Sequence, residues 1–284
     1  MTYSLPVTHE KMKITSGPNW LELPSDVTAN ILQRLGTIEI LTSACQVCPS
    51  WWSICKDPHM WRTINITKYG YKHSMRNKDK FVKICRNAIE RSCGHVEDID
   101  IEHLATDDLL AYIADNCAGH LRHMRLAMCA GLSDKGFSES VKKMSRLESL
   151  DISYQNQLSK DTFEIIGRYC PFLKTLKCRL IVVNDRENDV SFAIAKTMPG
   201  LHHLKICGNM PSEDGVLAIL DGCSLLEVLD LKECCCFYNI SSLEKRCREN
   251  VMDFRAPSLH CFSSNYDSGW GIESENWSGY EDWF

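Results

Sequence analysis

Leu121-Arg122-His123-Met124-Arg125-Leu126 is answered 26 residues later by Leu147-Glu148-Ser149-Leu150-Asp151-Ile152, and 26 later again by Leu173-Lys174-Thr175-Leu176-Lys177-Cys178. The same spacing extends outward to Val96-x-x-Ile99-x-Ile101, to Leu201-x-x-Leu204-x-Ile206 and to Leu226-x-x-Leu229-x-Leu231, with steps of 25, 26, 26, 28 and 25 residues. Alternating apolar positions in so short a run read as a buried strand face, and a fixed period of this length marks stacked units that cannot bury their faces alone. Between the runs, Asp107-Asp108-Leu109-Leu110 with Ile113, Phe137 with Val141, Phe163 with Ile166, Phe192 with Ala195 and Val216 with Ile219 follow polar starts at helical spacing. The chain therefore reads as α/β over residues 93–240, about six units, each strand leading through a turn into a helix packed behind it.

Upstream the period changes. Ser25 is a candidate helix cap with Asp26 in the first turn; Val27, Ile31 and Leu35 recur every fourth residue, Leu32 widens the stripe, and Gly36 is placed to end the helix in a left-handed conformation. Thr37 can cap a second helix carrying Ile38, Leu41, Ala44, Cys45 and Cys48, and Pro49 suits the first turn of a third. Trp51, Trp52, Ile54 and Trp61 add large apolar surfaces around an Asp57-Pro58 turn. Three short helices bury so many apolar groups only in part, which leaves surface for a partner.

Leu23-Pro24-Ser25-Asp26-Val27, Ile31-Leu32, Leu41, Val47-Cys48, Trp51, Asp57-Pro58 and Trp61, taken in this order, resemble the F-box. Thr28 stands where that motif often has an apolar residue and Pro49 where it often has a basic one. The resemblance implies a three-helix F-box-like module over residues 19–66 that binds a Skp-family adaptor, and through it a cullin and a RING subunit, in an SCF-type ubiquitin ligase. Adaptor contact is expected at Leu23, Pro24, Ile31, Leu32 and Leu41, with Val47, Trp51 and Trp61 holding the module together.

The repeats in turn are similar to the cysteine-containing leucine-rich repeats of plant-type F-box proteins, which implies a horseshoe with parallel strands on its concave face. Cys93, Cys170 and Cys223 recur three residues before the strand signature, Met144 and Met198 substitute for them, and Cys117 lies one position earlier. Cysteine is small and apolar enough to make these packing residues. Asn209 holds the strand-end position at which many such repeats bond the neighbouring backbone, and Cys129 and Cys234 hold it elsewhere. Side chains between the leucines point away from the helices, giving Asp98, Asp100 and Glu102, then His123 and Arg125, then Thr175, Lys177, Arg179, His203 and Lys205. Arg125, Lys177, Arg179, His203 and Lys205 are the candidate target contacts; the stripe of Lys177, Arg179 and Lys205 has the charge to attract an acidic or phosphorylated segment, although charges on an exposed sheet also serve to solvate it.

Composition narrows the classes. A net charge of -5 and an isoelectric point near 6.1 provide no basic field for nucleic acid. Sixteen cysteines scattered along 284 residues, with no apolar signal core at the start, point to reduced thiols inside the cell, in nucleus or cytoplasm, and no apolar run is long enough for a membrane span. Cys45-x-x-Cys48 with Cys55 and His59 resembles zinc spacing but fits the helical stripe equally, so no metal or cofactor is expected. No local signature sets a base beside a thiol and no phosphate-gripping loop is present, so the expectation is a non-catalytic subunit. Residues 1–18 are expected to be flexible, 67–92 to form a connector and a capping helix, and 241–284 a last helix and an acidic, aromatic, disordered tail. Together these readings describe the target-recognition subunit of a ligase acting on an unknown protein, leading to its ubiquitination and degradation. The alternative is a non-ligase repeat scaffold or inhibitor that binds a protein partner.

Overall fold

The computed structural model describes residues 22–67, 76–153, 158–180, 189–235 and 240–257. The expected flexible start, most of the connector and the acidic aromatic tail lie outside these residues. Three short helices come first, α1 at Ser25–Leu32, α2 at Thr37–Thr42 and α3 at Pro49–Ile54, with tight single turns at Ala44–Gln46 and Pro58–Trp61. After them strands and helices alternate: β1 Thr63–Ile66, α4 Lys78–Ser92, β2 Asp98–Glu102, α5 Asp107–Cys117, β3 His123–Ala127, α6 Asp134–Val141, β4 Ser149–Ile152 and α7 Lys160–Tyr169. The alternation continues through β5 Thr175–Leu180, α8 Asp189–Thr197, β6 His203–Asn209, α9 Glu213–Gly222, β7 Val228–Cys235, α10 Ser241–Asn250 and β8 Asp253–Arg255.

Among the described residues, eight parallel strands form one open sheet in sequential order, two more than the repeat spacing announces. The first comes from the helical module: Ile64 and Ile66 are buried and stand in register with Ile99 and Ile101. The last follows α10, where Phe254 pairs with Leu229. Neither carries the full leucine spacing, since a strand at the margin of a stack has one neighbour to satisfy and can be short. The α4 helix begins two residues before Lys80, where helical spacing first shows, and buries Phe81, Cys85, Ala88 and Ile89 against the first units.

Each repeat strand turns its leucine positions inward, so that Ile99, Leu126, Leu150, Leu176, Leu204 and Leu229 are buried in a single continuous core with the helices. The core face of α8 is Ala193 and Ile194; Phe192, expected inside, is exposed, because the helix starts at Asp189 and its register is rotated by one residue. Helix starts are tied from repeat to repeat. Asp107 accepts hydrogen bonds from the Ser133 amide (2.8 Å) and hydroxyl (2.6 Å), and Asp134 accepts the same pair from Ser159, both at 2.8 Å. Ser133 in turn caps α6 by accepting from the Gly136 amide at 2.9 Å. Gly136 is required there, because the Asp107 carboxyl occupies the space a Cβ would need.

Of the four cysteines that precede strand signatures, three are packing residues. Cys117, Cys170 and Cys223 are buried, whereas Cys93 is exposed in a left-handed conformation that ends α4. At strand ends the thiols replace asparagine as donors: Cys129 to the Ala127 carbonyl at 3.2 Å and Cys234 to the Ile206 carbonyl at 3.2 Å. Burial pushes the thiols of Cys117 and Cys170 up to about 12 and that of Cys223 to about 11, so all three stay protonated at neutral pH and make poor nucleophiles.

Candidate adaptor and target surfaces

The first helix divides its apolar residues between two faces. Val27, Ile31 and Leu35, four residues apart, are all exposed and continue the exposed Leu23 and Pro24. Thr28 and Leu32, one position on, turn about 100° around the helix axis into the core. Leu32 is 0% exposed against 37% for Ile31, so Leu32, expected among the adaptor contacts, has no surface to offer one. Thr28 tolerates burial because its hydroxyl donates to the Pro24 carbonyl at 3.2 Å. Leu41 is partly buried and packs against the core with its remaining surface open.

Local details differ from the sequence reading in ways that shape this ridge. Pro24 holds the cap position of α1, with no side-chain cap, and Ser25 is the first helical residue. Gly36 is extended at φ -70 and ψ 157 and precedes α2, so the left-handed end expected there does not form. Thr37, inside α2, instead accepts from the Asn65 amide at 2.9 Å and fastens the helix to β1. The turn at Ala44–Gln46 interrupts the helical stripe after Thr42, which leaves Val47 60% exposed rather than inside the module. Trp61 and the half-buried Trp51 do pack into it.

Cys45 and Cys48 do not act together. Cys45 is buried beside Cys55, whose thiol is pushed up to about 12 by its burial and by Cys45, while Cys48 accepts from the Trp51 amide at 3.5 Å and caps α3. Among the described residues no three His, Cys, Asp or Glu side chains group as metal ligands, and no helix is long and apolar enough to cross a membrane.

The helix-free face of the sheet carries a central row whose register runs Asn65, Asp100, Arg125, Asp151, Lys177, Lys205, Asp230 and Arg255. Arg125 bonds Asp100 at 2.8 Å and Glu102 at 2.9 Å and lies 3.8 Å from Asp151. Lys177 reaches Asp151 at 3.9 Å, Lys205 meets Glu233 at 2.7 Å, and Arg255 bridges Asp230 at 3.3 Å and Asp253 at 3.0 Å. The stripe expected from Lys177, Arg179 and Lys205 is thus flanked by carboxylates, with Lys177 and Lys205 adjacent in register; Arg179 is exposed, and His203 stands 4.0 Å from Glu227. Asp151 and Asp230, which flank the lysines, sit between the strand leucines like the cations, and that position alone is enough to find them in the sequence.

Burial pushes the Asp100 carboxyl up to about 6; Arg125 opposes the rise, Glu102 and Asp98 add to it. Burial also works against the Arg125 charge, but Asp100 and Glu102 outweigh it and hold the guanidinium more firmly protonated than usual. One guanidinium shared among several carboxylates offsets the burial of Asp100 only in part. Because the folded pKa lies above the ordinary 3.8, the contribution of this group to stability is whole below about pH 4 and is lost as pH rises through 6. The span corresponds to an upper bound of about 3 kcal/mol. Urea midpoints of Asp100→Asn should therefore show a flatter pH dependence between 4 and 7 than the unaltered chain; parallel curves would refute the assignment.

A family profile described as F-box-like matches residues 20–67, the segment that bears the ridge. The chain is 43% identical over 252 residues to the F-box protein SKIP19 of Arabidopsis thaliana, covering 88% of this chain and 81% of that one. It is 41% identical to the putative F-box/LRR-repeat protein 23 of the same plant over 84% of this chain, spanning about half (54%) of that longer protein. It is 39% identical to the putative F-box/LRR-repeat protein 9, also of Arabidopsis thaliana, over 79% of this chain and 92% of that one. With a helical module matched by the family profile, parallel strands stacked behind it at a leucine-spaced period and relatives similar along most of its length, this chain belongs to the plant F-box/leucine-rich-repeat proteins.

Proposed function

We propose that the chain is the target-recognition subunit of an SCF-type ubiquitin ligase and carries out no ubiquitin chemistry itself. A Skp-family adaptor docks on Leu23, Pro24, Val27, Ile31 and Leu35 with the open part of Leu41, and links the chain to a cullin and a RING subunit. The target lies on the helix-free face of the sheet and is held near a charged conjugating enzyme, which raises its local concentration around acceptor lysines. Ubiquitination and degradation of the target follow. The observation that carries this reading is the apolar ridge of α1, left open to solvent while Thr28 and Leu32 on the same helix are buried.

Affinity purification of the intact chain from plant cells tests it: a Skp-type adaptor and a cullin should co-purify, and should be lost when residues 20–66 are deleted. Retention of a protein target without any adaptor or cullin would favour the non-ligase scaffold instead. For the target face, reversing Lys177 and Lys205 to glutamate places five carboxylates, with Asp151, Asp230 and Glu233, along four adjacent strands. An acidic target segment should then bind at least about tenfold more weakly while adaptor binding is unchanged. An unaltered target profile would remove these lysines from the contact.

A further inference from the structure

Side chains alternate across a strand, so the residues between the leucine positions share the helix-free face, and their charges are sorted by sign along it. Asp98, Asp100 and Glu102 on β2 and Asp151 on β4 flank Arg125 on β3, four carboxylates to one guanidinium. The next two strands reverse the sign. Lys177 and Arg179 on β5 and Lys205 on β6 belong to strands that carry no carboxylate, and Lys177 stands directly opposite Lys205 in register. Asp151 at 3.9 Å from Lys177 and Glu233 at 2.7 Å from Lys205 border this pair from the strands on either side. Like charges set opposite each other on neighbouring strands cost stability, so this order is not one that folding favours.

Solvation of the sheet does not require it either, as the column one residue ahead of the strands shows. Arg62, Glu97, Arg122, Glu148 and Lys174 each precede a strand and are joined in that order by backbone hydrogen bonds. There the sign alternates from strand to strand and neighbours pair: Arg62 with Glu97 at 3.6 Å, Arg122 with Glu148 at 3.1 Å and Lys174 with Glu148 at 3.0 Å. The face beside this column instead gathers negative charge over β2 to β4 and positive charge over β5 and β6. Burial pushes the carboxyls of Asp98 and Asp100 up, so His123 and Arg125, which oppose the rise, leave the negative side short of cationic charge. We infer that this face takes a protein segment of divided charge, laid across the strands with arginine or lysine over β2 to β4 and acidic or phosphorylated residues over β5 and β6. The inference rests on the reading that the target lies on this face. A nucleic acid, negative throughout, does not fit β2 to β4. Three strand spacings, about 14 Å, separate β2 from β5, and an extended chain covers at most about 3.6 Å per residue, so the two charge blocks of the segment lie at least about four residues apart.

Selection with the full-length chain from a phage-displayed library of random peptides, each about twelve residues long so that both halves are spanned, tests it. Enriched peptides should carry a basic block and an acidic block. A synthetic copy of the most enriched peptide should bind at least about tenfold more weakly, by fluorescence anisotropy, to Asp98→Asn/Glu102→Gln and to Lys177→Gln/Arg179→Gln. A copy whose basic block is replaced by glutamine should bind the first variant and the unaltered chain alike, which pairs that block with β2 and shows the variant to be folded. The acidic block is paired with β5 in the same way on the second variant. Enriched peptides of one sign, or with alternating signs, would overturn the inference. So would a basic block whose removal costs as much affinity on the first variant as on the unaltered chain. Pull-down of a recombinant Skp-type adaptor keeps the two readings apart: adaptor bound without divided-charge peptides removes this inference and leaves the ligase reading, whereas divided-charge peptides without adaptor support the inference and remove the ligase reading.

Discussion

Replacing Leu23, Val27 and Ile31 together by alanine should weaken binding to a Skp-type adaptor by at least about 100-fold, measured by titration calorimetry, with the melting temperature of the free chain unchanged. Well-packed apolar anchors at an interface each cost more than about 1 kcal/mol when truncated, and two orders of magnitude correspond to about 2.7 kcal/mol, so three such side chains suffice. Truncating exposed side chains such as these leaves stability within about 0.5 kcal/mol. Leu32→Ala is the instructive contrast: a fully buried leucine on the same helix should cost about 2–5 kcal/mol of stability and touch adaptor binding only through unfolding. A folded triple variant that binds the adaptor as well as the original chain would show that the ridge is not the contact.

Trp61→Ala should be the most destabilising single substitution in the helical module, costing about 3–5 kcal/mol in urea unfolding. Its ring is 1% exposed, its indole nitrogen donates to the Cys55 carbonyl at 3.0 Å, and the Arg91 guanidinium lies 5.6 Å from its centre. Arg91 also donates to that carbonyl at 3.3 Å from α4, so the tryptophan closes a small cluster that binds the helices to the first strand. Truncation empties the cluster directly before β1, and both adaptor and target binding should fall together. Trp61→Phe, which keeps most of the volume and loses one donor, should recover more than half of the lost stability. If Trp61→Ala unfolded at the original urea concentration, the packing assigned to this residue would be wrong.

How much of this was readable in the residues depends on what each signal measures. The six leucine-spaced strands and the helices behind them follow from period alone, because every unit buries the same positions against its neighbours. The marginal strands at Thr63–Ile66 and Asp253–Arg255 do not, since each is too short to show a period and is defined by the strand it adjoins. On the ridge, Leu23, Pro24 and Ile31 were legible as exposed, while Leu32 was misassigned: a stripe of apolar residues on an eight-residue helix does not say where its buried side ends. The charges of the sheet face were legible one strand at a time, yet their pairing across strands appears only once Asp151 and Asp230 are placed beside Lys177, Lys205 and Arg255 in register.

Because β1 grows out of the helical module and the strands follow in unbroken order, the sheet is graduated from the module outward. On the proposed reading, each repeat inserted between β1 and the strand that met a target would shift that contact by one strand spacing, about 4.8 Å along the sheet. Reach toward acceptor lysines would then be set in whole repeats.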